Sequence, residues 1–262
     1  MNRLAIHESA AGGLSPTNIV DIAQQTGFDS IGVKVAHSAG ADRWWRKGAG
    51  SPELASMVEH LLTRRVSVLD VGRVELGGAP NAQSYRGVLD LGSRFGARFV
   101  TAGGVQARSQ VAPVAEQFAQ LVADADDYQL IPLLVAAPGT EITSTAAALE
   151  VVRRTGGGVV ITAGTNQTAF DIESQVLDTA NHVGYLRLLA EDLDGSKEDE
   201  VAGLLATVPV HIPIAVGSHE PGGSGRSGEG LTERAARWSV LIDRMLEHPL
   251  ARASRLRAAG QG

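Results

Sequence analysis

The stretch that most constrains the fold is residues 133–166, LLVAAPGTEITSTAAALEVVRRTGGGVVITAGTN, in which two short apolar runs flank a helical segment. This pattern predicts a strand–helix–strand unit, because parallel strands need a crossover connection of about this length. The first run ends at Val135 and the second at Thr162. Strand ends of this kind face the active site in parallel α/β enzymes. Here they carry no acid, histidine or cysteine.

The same alternation of strand and helix recurs along the chain. Strands are predicted at residues 4–7, 30–35, 66–71, 98–102, 130–135, 158–162, 184–189 and 211–216, and helices at 17–25, 52–64, 82–95, 111–126 and 231–246. Eight alternations without an interposed second domain predict an α/β fold, a single closed (β/α)8 TIM barrel over residues 1–250. The basic, small-residue-rich segment 251–262 is predicted to be a frayed tail.

Composition narrows the class of protein. Hydrophobic residues make up 44% of the 262 positions, enough for a substantial core, and the net charge of -6 disfavours nucleic acid and anionic membranes as partners. The absence of cysteine excludes disulfides and thiolate chemistry. The amino terminus is too short and too polar for a signal peptide. We therefore expect a cytoplasmic protein whose partner is a small-molecule substrate, with homo-oligomerisation left open.

Ionisable and aromatic side chains lie near the ends of the predicted strands. Because a barrel brings its strand ends onto one rim, we expect these groups to share a site. The expected catalytic residues are His7, Lys34, Asp70, Arg187 and Glu191, and the expected substrate contacts are Glu8, His37, Trp44, Arg73 and His219.

Several of these residues have a structural alternative. His7 could plug the barrel mouth, and Asp70 and Arg73 could form an ion pair with each other. His219 could be solvated, and Trp44 or Trp45 could serve in packing. Arg187 could form a salt bridge with Glu191 or Asp192. Asp124, Asp126 and Asp127 resemble a carboxylate cluster, but their position at a helix end favours a solvated face. The glycine-rich loop from Pro221 lacks both GxGxxG and the P-loop lysine, which favours a loop over the barrel mouth rather than a phosphate cradle.

Five segments, in order, resemble a known family. They are GFDSIGVK at 27–34, residues 67–75, VLDLGSRFGARFV at 88–100, PGTEI at 138–142 and ERAARWSVLIDRML at 233–246. In order and spacing they are similar to the sugar phosphate isomerase/epimerase family, the xylose isomerase-like TIM barrels. The resemblance covers most of the chain and implies the same barrel fold.

The resemblance also implies a metal site that this sequence has lost. Family members hold a divalent metal with four side chains, one from each of strands five to eight. The matching positions here are Val135, then Thr162 with Thr165 (or Ala163 with Asn166 in the shifted register), then Arg187 and Ala190, and finally Gly217. A hard divalent cation needs several oxygen ligands, mostly charged, and these positions supply no carboxylate. We therefore expect no metal or other cofactor.

The resemblance implies proton transfer next to a carbonyl, and the lost ligands imply that it proceeds without metal. We expect a metal-independent isomerase, epimerase or dehydratase (lyase) that acts on a small polyoxygenated or cyclic carbonyl compound through an enol-like intermediate. In this hypothesis Arg187 takes the place of the cation. Two alternatives stay open: a non-catalytic binding or partner subunit, and a new metal site drawn from His7, His37, Asp70, Glu191 or His219.

Overall fold

The computed structural model describes residues 3–11, 14–35, 51–77, 82–104, 114–163, 180–193, 198–218 and 228–247. Eight parallel strands form a closed barrel in chain order. The strands are β1 (Leu4–His7), β2 (Ser30–Lys34), β3 (Ser67–Leu76), β4 (Phe99–Gly104), β5 (Ile131–Val135), β6 (Gly158–Thr162), β7 (Val183–Leu189) and β8 (Ile214–Gly217). The predicted (β/α)8 TIM barrel is confirmed.

Seven α-helices occur within the described ranges. They are α1 (Pro16–Thr26), α2 (Pro52–Arg64), α3 (Ala82–Arg94), α4 (Val114–Asp126), α5 (Thr145–Thr155), α6 (Glu198–Thr207) and α7 (Gly228–Glu247). Three of them begin at a serine whose side chain accepts a hydrogen bond from a backbone N–H of the first turn: Ser15, Ser51 and Ser144. Helix α1 ends at Gly27, whose φ of 83° lies in the left-handed region that glycine adopts without strain.

The chain divides into two compact units, of which the first comprises residues 1–30 and 161–262. In this unit β8 lies between β1 and β7, with Ile6 opposite Val216 and Leu189 opposite Gly217. Helix α1 packs against α7, where Trp238 is buried. In the register of these three strands, the carboxyl-terminal end of β8 lies next to the carboxyl-terminal ends of both β1 and β7.

The second unit comprises residues 31–160. Its strands β3, β4, β5 and β6 pair in that order, and helices α3, α4 and α5 pack on them. The pairing of β3 with β4 shifts register between Val71 and Val74. Past this irregularity, β3 continues to Leu76.

Most strand boundaries lie within two residues of the sequence-based expectation, and two differ by three residues or more. Strand β3 was expected to end at Val71, but it continues because Val74 and Leu76 are buried in alternation with more accessible neighbours. Strand β8 was expected to begin at residue 211 and instead begins at Ile214. The reason is a turn, in which the Ile212 N–H donates to the Pro209 carbonyl.

Within the described ranges, none of the helices combines the length and the apolar composition that a membrane crossing requires.

Candidate functional site

In the first unit, His7 at the end of β1 is held by Ser9. The Ser9 hydroxyl oxygen lies 2.9 Å from His7 Nδ1, and the Ser9 backbone N–H donates to the same nitrogen at 3.1 Å. The Ser9 hydroxyl in turn accepts a hydrogen bond of 3.0 Å from the Ser218 backbone N–H. The ring of His7 is therefore oriented by the short turn that follows β1 and by the residue that follows β8.

Ser218 also contacts the carboxylate predicted to take part in catalysis. Its hydroxyl donates to Glu191 Oε1 at 2.5 Å. Glu191 lies in the 3₁₀ turn after β7 and is exposed. Residues from the ends of β1, β7 and β8 thus form one hydrogen-bonded chain, from Glu191 through Ser218 and Ser9 to His7.

Arg187 lies on β7 against the end of β8. Its Nη2 donates to the Tyr185 hydroxyl at 2.9 Å, and its guanidinium carbon lies 5.8 Å from the centre of the Tyr185 ring. A Cβ at Gly217 would lie 3.1 Å from Arg187 Cδ and 3.1 Å from the Ser9 hydroxyl oxygen. Glycine at 217 therefore leaves room for the stem of Arg187, and Arg187 and Ser9 flank the same point.

In the second unit, Arg73 lies across the end of β4. Its Nη2 donates to the Gly104 carbonyl at 2.6 Å, and a Cβ at Gly103 would lie 2.6 Å from Arg73 Nε. Gly104 itself approaches Thr140 in the loop after β5, where a Cβ would lie 3.3 Å from Thr140 Cβ. The Arg73 guanidinium thus rests directly on the β4 backbone.

The remaining predicted residues of this unit occupy different environments. Asp70 lies within β3 and is fully buried, and Lys34 is the last residue of β2 and is half-buried. Gly72, two residues after Asp70, is packed so tightly that a Cβ would lie 1.9 Å from the Thr101 hydroxyl oxygen. Its carbonyl accepts a hydrogen bond from the Val35 N–H at 2.5 Å. Glu75, near the end of β3, is exposed.

The structure thus brings together some of the predicted site residues. His7, Arg187 and Glu191 belong to one cluster with Ser9 and Ser218, and Glu8 is half-buried in the turn beside His7. Lys34, Asp70 and Arg73 lie in the second unit, whereas His37, Trp44 and His219 fall outside the described residues.

Ser9, Tyr185 and Ser218 were not predicted from the sequence. Tyr185 could have been found, because residues two apart on a strand point to the same face and Arg187 follows it at that spacing. Ser218 carried no such signal, since it is 209 positions away from Ser9.

Comparison with known proteins begins with two negative results. No protein-family model matches the sequence. No curated protein matches it either.

Solved structures, in contrast, match over nearly the whole chain. The IolI protein with a bound zinc atom superposes with a TM-score of 0.70 at 11% identity, over 95% of this chain and 100% of that one. A xylose isomerase domain-containing protein from Salmonella typhimurium LT2 gives a TM-score of 0.67 at 14% identity, over 92% of this chain and 97% of that one. An L-ribulose 3-epimerase gives 0.63 at 15% identity, over 99% and 97%.

The chain has the xylose isomerase-like barrel fold. At such low identity the likeness concerns the fold, and chemistry has to be argued from this chain's own side chains.

A xylose isomerase-like barrel with this sequence does not supply the metal ligands implied by the family resemblance. Those positions carry Val135, Thr162 or Ala163, Arg187, Ala190 and Gly217, and Thr165 and Asn166 lie outside the described residues. The Arg187 stem and the Ser9 hydroxyl lie beside Gly217, so the Cβ of a glutamate at this position would press on both of them. Over the described ranges, no group of three or more histidine, aspartate or glutamate side chains could hold a metal ion. The donor set does not fit a hard divalent cation.

The cluster of the first unit offers three different chemical groups within this barrel. Arg187 supplies a permanent positive charge, Glu191 a carboxylate, and His7 an imidazole in a defined orientation. A cation beside a carboxylate and an imidazole can stabilise an oxyanion while a proton is moved.

Proposed function

We propose that this chain is an enzyme that moves a proton next to a carbonyl group without a divalent metal. The reaction is an isomerisation, epimerisation or dehydration of a small polyoxygenated or cyclic carbonyl compound through an enol-like intermediate. The observation that carries the proposal is the position of Arg187. The aliphatic stem of its side chain packs on Gly217, where the family resemblance places a metal-ligating glutamate, so a cationic side chain passes the position of a lost ligand.

Arg187 is suited to hold the oxygen of an enolate. The guanidinium is half-buried and tied to the hydroxyl of the fully buried Tyr185, which restricts its orientation. A donor fixed before the reaction does not have to reorganise as charge develops, and charge-assisted hydrogen bonds are stronger than neutral ones. Arg187 would therefore bind the transition state more tightly than the neutral ketone.

Glu191 is the proton acceptor in this scheme. Its carboxylate removes the proton from the carbon next to the carbonyl, and the electron pair of that C–H bond moves towards the carbonyl oxygen, giving an enolate beside Arg187. Delivery of a proton to the other face of the same carbon gives an epimer. Return of the proton from Glu191 to the former carbonyl carbon, with the proton of the neighbouring hydroxyl passing to the enolate oxygen, gives an isomer. Alternatively, the proton on Glu191 passes to a β-hydroxyl, which leaves as water while the enolate electrons form a carbon–carbon double bond, and this gives the dehydrated product. The hydrogen bond from Ser218 holds one carboxylate oxygen and leaves the other to accept the proton.

The first step can be measured without knowing the physiological substrate. Purified protein in D₂O is incubated with a panel of ketoses, aldoses and cyclic polyhydroxy ketones, and loss of the α-proton signal is followed by ¹H NMR. We expect exchange of at least one compound, unchanged by chelator. We expect Arg187→Gln to slow that exchange by about 10²- to 10³-fold, the usual effect of removing one oxyanion donor.

Arg94→Gln is the matched control, since it makes the same chemical change at an exposed i,i+4 pair with Asp90 on α3. It should leave the exchange rate unaltered. Exchange that appears only after addition of Mn²⁺ or Mg²⁺, or that persists at the original rate in Arg187→Gln, would refute the proposal. Binding of a panel compound without any exchange would instead support the non-catalytic alternative. The roles predicted from sequence for Lys34, Asp70 and Arg73 stay predictions.

A further inference from the structure

The hydrogen bonds around His7 determine which ring nitrogen carries its proton. A backbone N–H can only donate, so the 3.1 Å contact from the Ser9 N–H favours the form of His7 in which Nδ1 is an acceptor. An Nδ1 that accepts carries no proton. The neutral ring then has its single proton on Nε2.

The Ser9 hydroxyl reinforces this assignment. It already accepts from the Ser218 backbone N–H at 3.0 Å, and that bond occupies one of its lone pairs. Its own proton is free to point to His7 Nδ1, 2.9 Å away. Nδ1 therefore receives two donors from one residue, and a proton on Nδ1 would face the Ser9 N–H directly.

We propose that Ser9 is a positioning residue that holds His7 as a neutral imidazole protonated on Nε2, so that His7 donates a hydrogen bond to a substrate oxygen rather than accepting a proton. The inference rests on the proposed function for its catalytic part and deepens it. Glu191 would be the base, Arg187 the charged donor and His7 a neutral donor. Arg187 and Ser9 flank the same point at Gly217, so both donors belong to one cluster.

This arrangement indicates a substrate that presents more than one oxygen to the cluster. One oxygen carries the developing charge and pairs with the guanidinium, and a neighbouring carbonyl or hydroxyl oxygen accepts from His7 Nε2–H. An α-hydroxycarbonyl compound has this chemistry, whereas a simple ketone has only one oxygen. The α-hydroxyketones of the panel should therefore exchange faster than matched ketones without a neighbouring hydroxyl, which are added for this comparison.

The decisive measurement is ¹⁵N NMR of the full chain labelled at histidine, with the His7 signals assigned by their loss in His7→Gln. We expect the wild-type protein to show neutral His7 with the proton on Nε2. Ser9→Ala keeps the backbone donor but loses the hydroxyl, so the spectrum should shift towards a mixture of the two tautomers. Ser9→Thr keeps a hydroxyl and should restore the wild-type signals.

The kinetic arm uses the same variants. We expect Ser9→Ala to lower kcat for α-proton exchange about tenfold with KM little changed, because a share of the imidazoles would present the wrong nitrogen. Ser30→Ala is the matched control: Ser30 is a buried serine of the first unit, and its hydroxyl donates to the Leu4 carbonyl. That variant should change neither the His7 signals nor kcat.

The outcomes separate this inference from the proposed function. A wild-type His7 that carries its proton on Nδ1, or a spectrum that Ser9→Ala leaves unchanged, overturns the inference whatever the activity. If wild-type protein exchanges no compound of the panel, the proposed function fails and with it the catalytic role of His7, while the NMR spectrum still decides how Ser9 orients the ring.

Discussion

Among the described glycines, three lie where a neighbouring polar side chain would come within 3.1 Å of a Cβ. At Gly72 the neighbour is Thr101, at Gly103 it is Arg73, and at Gly217 it is Arg187. Glycine at these positions allows close approach of side chain to backbone. Gly103 therefore helps to determine where the guanidinium group of Arg73 lies, and Gly217 does the same for Arg187.

The tightest of these contacts leads to a prediction for stability. Gly72→Ala would put a methyl group 1.9 Å from the Thr101 hydroxyl oxygen and 3.1 Å from the Thr101 carbonyl oxygen. We expect the free energy of unfolding to fall by about 1–3 kcal/mol or more, because the backbone of β3 or β4 would have to shift. Chemical denaturation followed by circular dichroism measures the change.

Two further variants test the cause of that loss. Gly87→Ala on α3 meets no atom within 4 Å and should stabilise the protein by about 0.5–1 kcal/mol, since alanine favours a helix over glycine. Thr101→Ala in the Gly72→Ala background should recover part of the stability. A Gly72→Ala protein as stable as wild type would show that the close approach is not a constraint.

At the scale of single elements, local signals in the sequence set where helices begin and end. Helix α2 begins at Ser51 followed by Pro52, and its end is marked by Arg65 with a φ of 56°. Helix α1 has the same serine–proline start, which satisfies a first-turn N–H and fixes the backbone angle of the first helical residue. Such elements need little tertiary information.

The cap of α2 can be tested directly. Ser51 is buried, and its hydroxyl accepts a hydrogen bond of 3.2 Å from the Leu54 N–H. We expect Ser51→Ala to lower the free energy of unfolding by about 1–2 kcal/mol, and Ser51→Asp to retain most of the stability because aspartate also caps helices. Ser93→Ala, at an exposed position of α3, should change it by no more than about 0.5 kcal/mol. Equal effects at the two serines would contradict the capping assignment.

Properties of the whole molecule depend on groups that the fold brings together from distant parts of the chain. In the first unit, Asp243 on α7 is partly buried, which raises the pKa of its carboxyl, and repulsion from Glu247 and Asp29 raises it further. Asp29 in turn accepts a hydrogen bond from the Leu4 N–H at 2.9 Å. Residues from the early and the late part of the sequence thus affect the pKa of the same carboxyl group.

The raised pKa predicts how stability changes with pH. The folded protein binds this proton more tightly than the unfolded chain, so the contribution of Asp243 falls as pH rises from the ordinary carboxyl pKa through the raised one. We expect Asp243→Asn to be more stable than wild type at neutral pH. The difference should disappear in acid, below both values. Urea unfolding of both proteins over a series of pH values measures the difference at neutral pH and its disappearance in acid.

Glu200→Gln removes a charge from an exposed position on α6 and serves as the control for a general change in net charge. It should not reproduce the pH dependence of the Asp243→Asn effect. A loss of stability in Asp243→Asn at neutral pH would contradict burial and repulsion as the causes of the raised pKa.

Much of the fold could be predicted from the sequence. The stretch 133–166 predicted β5, α5 and β6, and these occupy Ile131–Val135, Thr145–Thr155 and Gly158–Thr162. The prediction succeeded because apolar periodicity and helix caps act over short separations. The prediction was wrong for the end of β3. The pairing with β4 shifts register after Val71, and the strand continues through residues that resemble a turn in the sequence.

The sequence alone determined the order of strands and helices, the absence of carboxylates at the positions where the family resemblance implies metal ligands, and the presence of His7, Arg187 and Glu191 near strand ends. Only the tertiary structure decided that Ser218 would orient Ser9, and so His7, across 209 positions of sequence. It also decided that Arg187 would fill the space beside Gly217. The physical reason is that both contacts depend on the register in which β8 pairs with β1 and β7. That register is set by the packing of the strands against one another, and it cannot be read from any short segment of the sequence.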